Sequence, residues 1–313
     1  MIHRIEPTVH NLHGNFSRDI EPILTVESGD TIIARTRCCD WDEGTPPMAG
    51  APPKVIARDM RRDPENDLGL CLVGPVAIKG AEPGMTLEVE IQELEIGAYG
   101  VTLIGEGAAR RCGFKIPADP PCLTWTFDTE AGVAIASNGF RVKTNPFLGC
   151  IGVCPDLPGY HSNTIPRQVG GNMDCKELVV GTKLYLPVEV PGAMLSFGDG
   201  HAAQGDGEFG GYAIECPMDA VKLTVNVRDD MKIQSPIART SDAWITFGFH
   251  EKLKMAMQAA VANMLDLMTE KLGVSREEAY MLAGTAVDLH ITQVANPSVG
   301  VHAIWRDGSI MRG

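Results

Sequence analysis

The chain has 313 residues, 44% of them hydrophobic and 21% charged, a balance that suits a globular protein with one large core or two smaller ones. Its 27 basic and 40 acidic residues leave a net charge of −13, which excludes nucleic-acid backbones and anionic membranes as expected partners and favours a small neutral or cationic molecule. No run approaches the about 20 apolar residues of a membrane span, no apolar signal core opens the chain, and nine cysteines without a C-x-x-C pair suit reduced thiols in a cytoplasm.

In chain order, Ile23-Leu24-Thr25-Val26 reads as a strand, Glu27-Ser28-Gly29-Asp30 as a turn and Thr31 to Thr36 as a second strand. An acidic cluster follows at Cys38-Cys39-Asp40-Trp41-Asp42-Glu43. Its position after a strand end makes Asp40 and Asp42 candidate site residues, although three acids so close also suit a solvated loop. Residues 43–69, rich in Pro, Asp and Arg, read as a long loop able to cover a pocket. The segment from Gly74 to Gly80 then leads to Glu82-Pro83-Gly84 and the alternating run Met85 to Ile91, a turn followed by a half-buried strand. The same turn-then-strand unit recurs at Val180 to Val188, so with residues 27–32 there are three echoes of related β units.

Residues 97–113 are glycine-rich and expected to be irregular, with strands to follow at Cys122–Phe127 and Val133–Ile135. The small-residue segment Asn145 to Pro155 can let a ligand approach closely. Beyond it lie His161, Arg167, Asn172, Asp174, Cys175 and Lys176, with Gly170-Gly171 setting Asn172 and Asp174 after a flexible pair.

The densest polar chemistry sits at Ser196 to Glu208, SFGDGHAAQGDGE, where Asp199, His201, Gln204, Asp206 and Glu208 are interleaved with four glycines. Carboxylates and imidazole are ligands for divalent metals, and a remaining carboxylate can move protons. A single Gly-Asp-Gly is ordinary hairpin chemistry. Here two occur seven residues apart with a histidine between them, and on a strand Asp199 and His201 share a face. Gly205 to Gly210 also fits G-x-G-x-x-G, but no helix pattern follows and two acids inside the loop would repel phosphate, so a dinucleotide site is rejected.

Ala220–Val227 alternates as a strand, and the character changes near Ser241. Leu253, Met257, Ala260, Val261, Met264, Leu265 and Met268 recur at helical spacing between Phe249 and Leu272, stopped by Gly273. Ser275-Arg276-Glu277-Glu278 is a capping box opening a second helix to about Ala283, and Ala286–Thr292 returns to a strand in which Asp288 and His290 read as exposed and structural. The order describes an α+β protein, mainly antiparallel β, with a β-rich core over residues 1–240 and a helix-helix-strand portion over 241–313 packed on it as one functional unit.

LTVESGDT, AEPGMTL with VEIQEL, the closing SREEAYMLAGTAVDLHITQV and above all GGNMDCKELVVGTKLYLPVEVPGAMLSFGDGHAAQGDGE resemble the acetamidase/formamidase family. The resemblance covers most of the chain and is most specific over 170–208. It implies a β-sandwich-like fold with appended α/β elements, a homo-oligomer of two or more copies, and hydrolysis of short carboxamides such as formamide or acetamide to acid and ammonia. It also implies a metal near GDGHAAQGDGE. Residues 38–69 depart from the family's sequence, so a pocket lined by that loop would take a different amide.

Amide resonance makes the carboxamide carbon a poor electrophile, so such chemistry needs an activated water and a proton for the departing nitrogen. On this reading Asp174, Asp199 and His201 hold the metal, Asp206 is a fourth ligand or a catalytic partner of Glu208, and Glu208 carries the proton. Asn172, Gln204 and Gly205 face the substrate. Mixed imidazole and carboxylate ligands suit zinc, and a more oxygen-rich shell would admit calcium or magnesium. Two alternatives stand beside it. One is a cysteine nucleophile, Cys150, Cys154 or Cys175, beside His161 or His201. The other is a non-enzymatic β-sandwich that binds a small ligand or a structural metal.

Overall fold

The structure is a computed structural model and describes residues 1–105, 107 and 111–312. Two large sheets carry most of the chain, and the strand-rich expectation holds. One sheet has nine strands. It runs from Ile2–Ile5 through Thr31–Ala34, Met218–Arg228, Thr86–Ile96, Lys183–Pro187, Ile237–Arg239, Ala243–His250 and Val299–Arg306 to an edge at Val287–Gln293. Every pairing in it is antiparallel except Ile2–Ile5 with Thr31–Ala34. Sequence alternation explains the long strands: in Met218–Arg228 the residues Val221, Leu223 and Val225 are fully buried while their neighbours are not.

The second sheet holds the site. Leu195–His201 lies between Phe147–Gly152 on one side and Glu215–Cys216 and Leu72–Ile78 on the other, and Gly170–Asn172 pairs with Phe147–Gly152. Beyond Glu215–Cys216 the sheet continues through Gly100–Thr102, Leu123–Asp128, Val133–Ala136 and Arg141–Lys143. Ile32, Leu87 and Ile91 from the first sheet and Val73, Ile151 and Phe197 from the second belong to one buried apolar cluster, so the sheets share a core.

The expected turn at residues 27–30 does not close a hairpin. Leu24–Val26 pairs in parallel with Leu72–Ile78 in the second sheet, whereas Thr31–Ala34 belongs to the first, so the chain changes sheet there. The three sequence echoes share one setting. Gly29, Gly84 and Gly181 take φ of 92°, 87° and 91°, and the strands after them all lie in the nine-stranded sheet. Within the glycine-rich stretch 97–113, Gly100–Thr102 is a short strand, while residues 106 and 108–110 lie outside the described residues.

The C-terminal portion starts differently from the sequence reading. Phe249 belongs to the strand Ala243–His250, and helix α1 runs from Leu253 to Leu272, closed by left-handed Gly273. Ser275 and Glu278 form the expected capping box, and helix α2 extends over Arg276–Ala286. The strands at Ala243–His250 and Val299–Arg306 gave no clear signal because both are mostly buried on the two faces, which removes the alternation. Helix α1 buries Ala256, Ala260, Met264 and Met268 against them. Among the described residues no helix is long and apolar enough to cross a membrane.

Candidate active site

Sheet register brings the acids together. Asp199 and His201 alternate on Leu195–His201, and His201 pairs directly with Glu215 on the neighbouring strand. Residues opposite one another in a sheet project to the same face. His201 Nε2 therefore lies 3.3 Å from Asp199 Oδ1 and 2.9 Å from Glu215 Oε2. From the other side Asn172 pairs with Cys150, and Asp174 follows two residues on. The floor between them is Gly149. A Cβ there would lie 2.4 Å from Asp199 Oδ2 and 2.8 Å from both Asp174 Oδ1 and His201 Cε1, so the expected close approach is made by the protein's own ligand-type groups.

Glu208 reaches the same place from a loop. Gly207 N–H donates to Thr292 O at 3.1 Å, and Val294 N–H donates to Gly207 O at 2.8 Å, so the edge strand of the other sheet pins the loop. Asp174, Asp199, His201, Glu208 and Glu215 all line one cavity of about 170 Å³, together with Asp40, Asn172 and Tyr212. All five are buried.

Gln204 sets the histidine. His201 Nδ1–H donates to Gln204 Oε1 at 2.9 Å, and Gln204 Nε2 donates to the Asp174 carbonyl at 2.8 Å. This bond orients the ring with Nε2 toward Asp199 and Glu215, the usual role of a partner behind a metal-bound imidazole. Gln204 thus faces the histidine rather than the site's open space, and Gly205 lines a neighbouring cavity.

The electrostatics are lopsided. Burial, followed by the charges of Glu208 and Asp199, pushes the Asp174 carboxyl well above the usual carboxylate range. Burial first, then Glu215 and Asp199, pushes Glu208 up to about 8 against the pull of His201. Glu215 is raised by burial with His201 opposing, and Asp40 is raised by burial and the Asp199 charge. For His201 burial disfavours the imidazolium, but Glu215 and Asp199 outweigh it and hold the ring well above its ordinary value. Asp174 Oδ2, Glu208 Oε2 and Asn172 Oδ1 are buried without a hydrogen-bond partner, whereas Glu215 Oε2 is paired with His201 Nε2 at 2.9 Å. Among the described residues, no lysine or arginine lines the cavity.

Buried carboxylate oxygens without partners are costly, and a cation among them removes the cost. The donor types fit a divalent metal. Ligand atoms of Asp174, His201 and Glu208 lie within 4.8 Å of one another, and so do those of Cys39, Asp199 and Glu215.

Other sequence candidates lie elsewhere. Asp206 is held outside the cavity by Lys176 Nζ and His290 Nδ1, each 2.9 Å from its Oδ2. The second Gly-Asp-Gly turns its aspartate toward the C-terminal strand, and His290 is that partner rather than an isolated surface group. Asp42 is buried, accepting from Tyr99 Oη at 2.5 Å and from the Cys38 and Gly44 amides, so it closes the loop after the strand. Asp40 of the same cluster does line the cavity. His161 sits 3.3 Å from Leu157 O, away from the cavity. Burial drives the Cys150 and Cys175 thiols well above their ordinary value and Cys154 up to about 12, and none of the three lines the cavity. That is a poor setting for a thiolate nucleophile.

Glu215, Tyr212, Thr164 and Asn296 also line the cavity and had not been singled out. Only Glu215 carried a signal, a lone acid in the apolar run Ala213-Ile214-Glu215-Cys216.

Comparison with known proteins shows what the chain as a whole is similar to. The model of the acetamidase/formamidase family matches residues 3–159 and again 159–304. A putative formamidase of Schizosaccharomyces pombe is 29% identical over 72% of this chain and 67% of its own, and an acetamidase of Mycolicibacterium smegmatis is 25% identical over 88% and 85%. The crystal structure of an acetamidase from Bacillus halodurans has a TM-score of 0.83 and 30% identity over 97% of both chains. A gamma lactamase from Delftia acidovorans has a TM-score of 0.60 at 25% identity, over 97% of this chain and 91% of its own.

Proposed function

Because this chain belongs to the acetamidase/formamidase family and hydrolyses linear amides to acid and ammonia, we propose that Asp174, Asp199, His201 and Glu215 hold one divalent cation while Glu208 moves the proton. Zinc suits one imidazole among carboxylates better than calcium or magnesium, which favour all-oxygen shells. The observation behind this reading is the ring of buried carboxylates with unpartnered oxygens around a single histidine on one cavity.

When bound, the cation supplies Lewis-acid polarisation and a water whose pKa falls from 15.7 to about 7. The remaining work belongs to side chains. Burial pushes Glu208 up to about 8, and a neighbouring positive charge favours its ionised form. It then accepts a proton from the attacking water at its free Oε2 and returns it to the departing nitrogen. Asn172 Oδ1, also without a partner, accepts from the substrate N–H and orients the carboxamide. A homo-oligomer belongs to the same reading, supported by exposed Leu289 and Ile291 on the edge strand Val287–Gln293.

The direct test is Glu208→Gln, assayed for ammonia release and for bound metal. Proton transfer by a placed side chain is worth about 10²–10⁴ in rate, so turnover should fall by that factor with the metal retained. Turnover equal to that of the parent chain would remove Glu208 from the mechanism.

A further inference from the structure

The site cavity, about 170 Å³, holds a carboxamide head and little more. A second cavity of about 410 Å³ adjoins it, and Glu208 and Tyr212 line both. Pockets that seat drug-sized ligands run from about 300 to 1,000 Å³, so the second cavity is inside that range and the first is below it.

The walls of the larger cavity are mainly apolar, with Lys143, Asn145 and Glu208 among the polar residues at its margin. Trp125, Val142, Ala203, Phe209 and Ile214 line it. Three of its polar side chains are engaged within the protein: Trp125 Nε1–H donates to Thr102 Oγ1 at 3.0 Å, Thr102 Oγ1–H donates to Ala213 O at 2.7 Å, and Asn145 Nδ2 donates to Lys176 O at 3.1 Å. A ligand part lying between Trp125, Val142, Ala203, Phe209 and Ile214 meets ring faces and methyl groups and breaks none of these bonds. Gln204 and Gly205 continue the wall toward the polar site.

Release of ammonia means a primary carboxamide, whose one substituent is its acyl group. With the reacting carbonyl beside Glu208, that group points along the Glu208 and Tyr212 wall. We propose that this chain acts on primary amides with a large apolar acyl group, of phenylacetyl or hexanoyl size, seated in the 410 Å³ cavity. The proposal rests on the amidohydrolase reading above and deepens it. The same cavity covered by a second copy of the chain, with Phe209 as a contact, is the competing use, since that side chain is 67% exposed.

The experiment measures kcat/KM of the metal-loaded chain on acetamide, butanamide, hexanamide and phenylacetamide. Each buried methylene should raise kcat/KM about fourfold, so hexanamide should exceed acetamide by on the order of a hundredfold. Val142→Trp fills the cavity from an exposed position. It should lower hexanamide and phenylacetamide at least about tenfold and leave acetamide within about twofold, an effect of pocket shape alone. If Val142→Trp does not fold, Phe209→Ala removes a wall from a solvent-facing residue and should lower the two large amides selectively.

Acetamide turned over as well as the larger amides, or a uniform loss across the series in the variants, overturns the proposal and leaves the amidohydrolase standing. No turnover of any amide overturns the amidohydrolase reading itself, and the proposal falls with it.

Discussion

Asp174, Asp199 and Glu208 take φ of 51°, 59° and 39°, values that side chains other than glycine rarely adopt. Only three other non-glycine residues among the described ones do so, Trp41, Ala193 and Met194. Strain of this kind costs about 1–3 kcal/mol per residue and is maintained where the surroundings over-determine it. Here it aims three acids at one cavity. Asp199 and Glu208 were legible because acids crowd between glycines in a short stretch, and Asp174 because it follows the flexible pair Gly170-Gly171. Glu215 was not selected, because its partnership with His201 is a fact of strand register between residues fourteen apart, which spacing alone does not reveal. Asp206 had the same local pattern as Asp199, and only the placement of Lys176 and His290 sends it outward. Gln204 offers the sharpest check at this scale. Gln204→Leu removes the bond that presents His201 Nε2, so zinc affinity measured by competition with a chelator should fall about 10–100-fold. Affinity unchanged in that variant would mean the imidazole is set by something else.

At the scale of the element, the strand Phe147–Gly152 is wholly buried, and its glycine is what leaves room for the site. The sequence marked that segment as small, and what comes close to it is the protein's own Asp199, Asp174 and His201. Gly149→Ala would put a methyl carbon 2.4 Å from Asp199 Oδ2, against backbone and side chains that are fixed on both sides. The expected outcome is a folded protein, judged by circular dichroism, in which bound metal and ammonia release both drop at least about tenfold, as for other losses of ligand positioning. Normal metal content in that variant would contradict the placement of the ligands.

Strand edges were less legible than helix ends. The capping box at Ser275 and the stop at Gly273 are local chemistry, whereas Ala243–His250 is recognised as a strand only by its neighbours Ile237–Arg239 and Val299–Arg306.

Across the whole molecule, each sheet carries a neutral buried histidine. His13 donates from Nδ1 to Asn15 O and accepts from Ser196 Oγ at Nε2, which ties the N-terminal segment to the site strand. Burial, with a smaller push from Arg62, lowers it to about 4. His302, on Val299–Arg306, is lowered to about 3 by burial and then by His290. Both folded values lie below the ordinary 6.5, so between them the unfolded chain binds protons that the folded chain refuses. Their contribution is complete above pH 6.5 and is lost as pH falls toward 4 for His13 and 3 for His302. The raised carboxyls of Asp174 and Glu208 act with the opposite sign, so the effect is best read as a difference between variants. His13→Gln cannot titrate. The stability advantage of the parent over this variant should shrink by about 3 kcal/mol between pH 7 and pH 4 in denaturant titrations. An advantage that stays constant across that range would show that His13 is not held neutral by the fold.

The two-sheet core, the α+β class and the family were accessible from pattern and resemblance. The cavity was not, because its walls come from segments as distant as Cys39, Asn172 and Asn296, and the sequence does not say which loops meet.

The central claim, that the carboxylate ring holds a divalent cation needed for amide hydrolysis, is tested most directly by one titration. The chain is stripped with a chelator, and ammonia release from a primary amide is followed as zinc is returned. Activity should be absent in the stripped chain and reach its maximum at one zinc per chain. Full ammonia release from chain shown to be free of metal would contradict it.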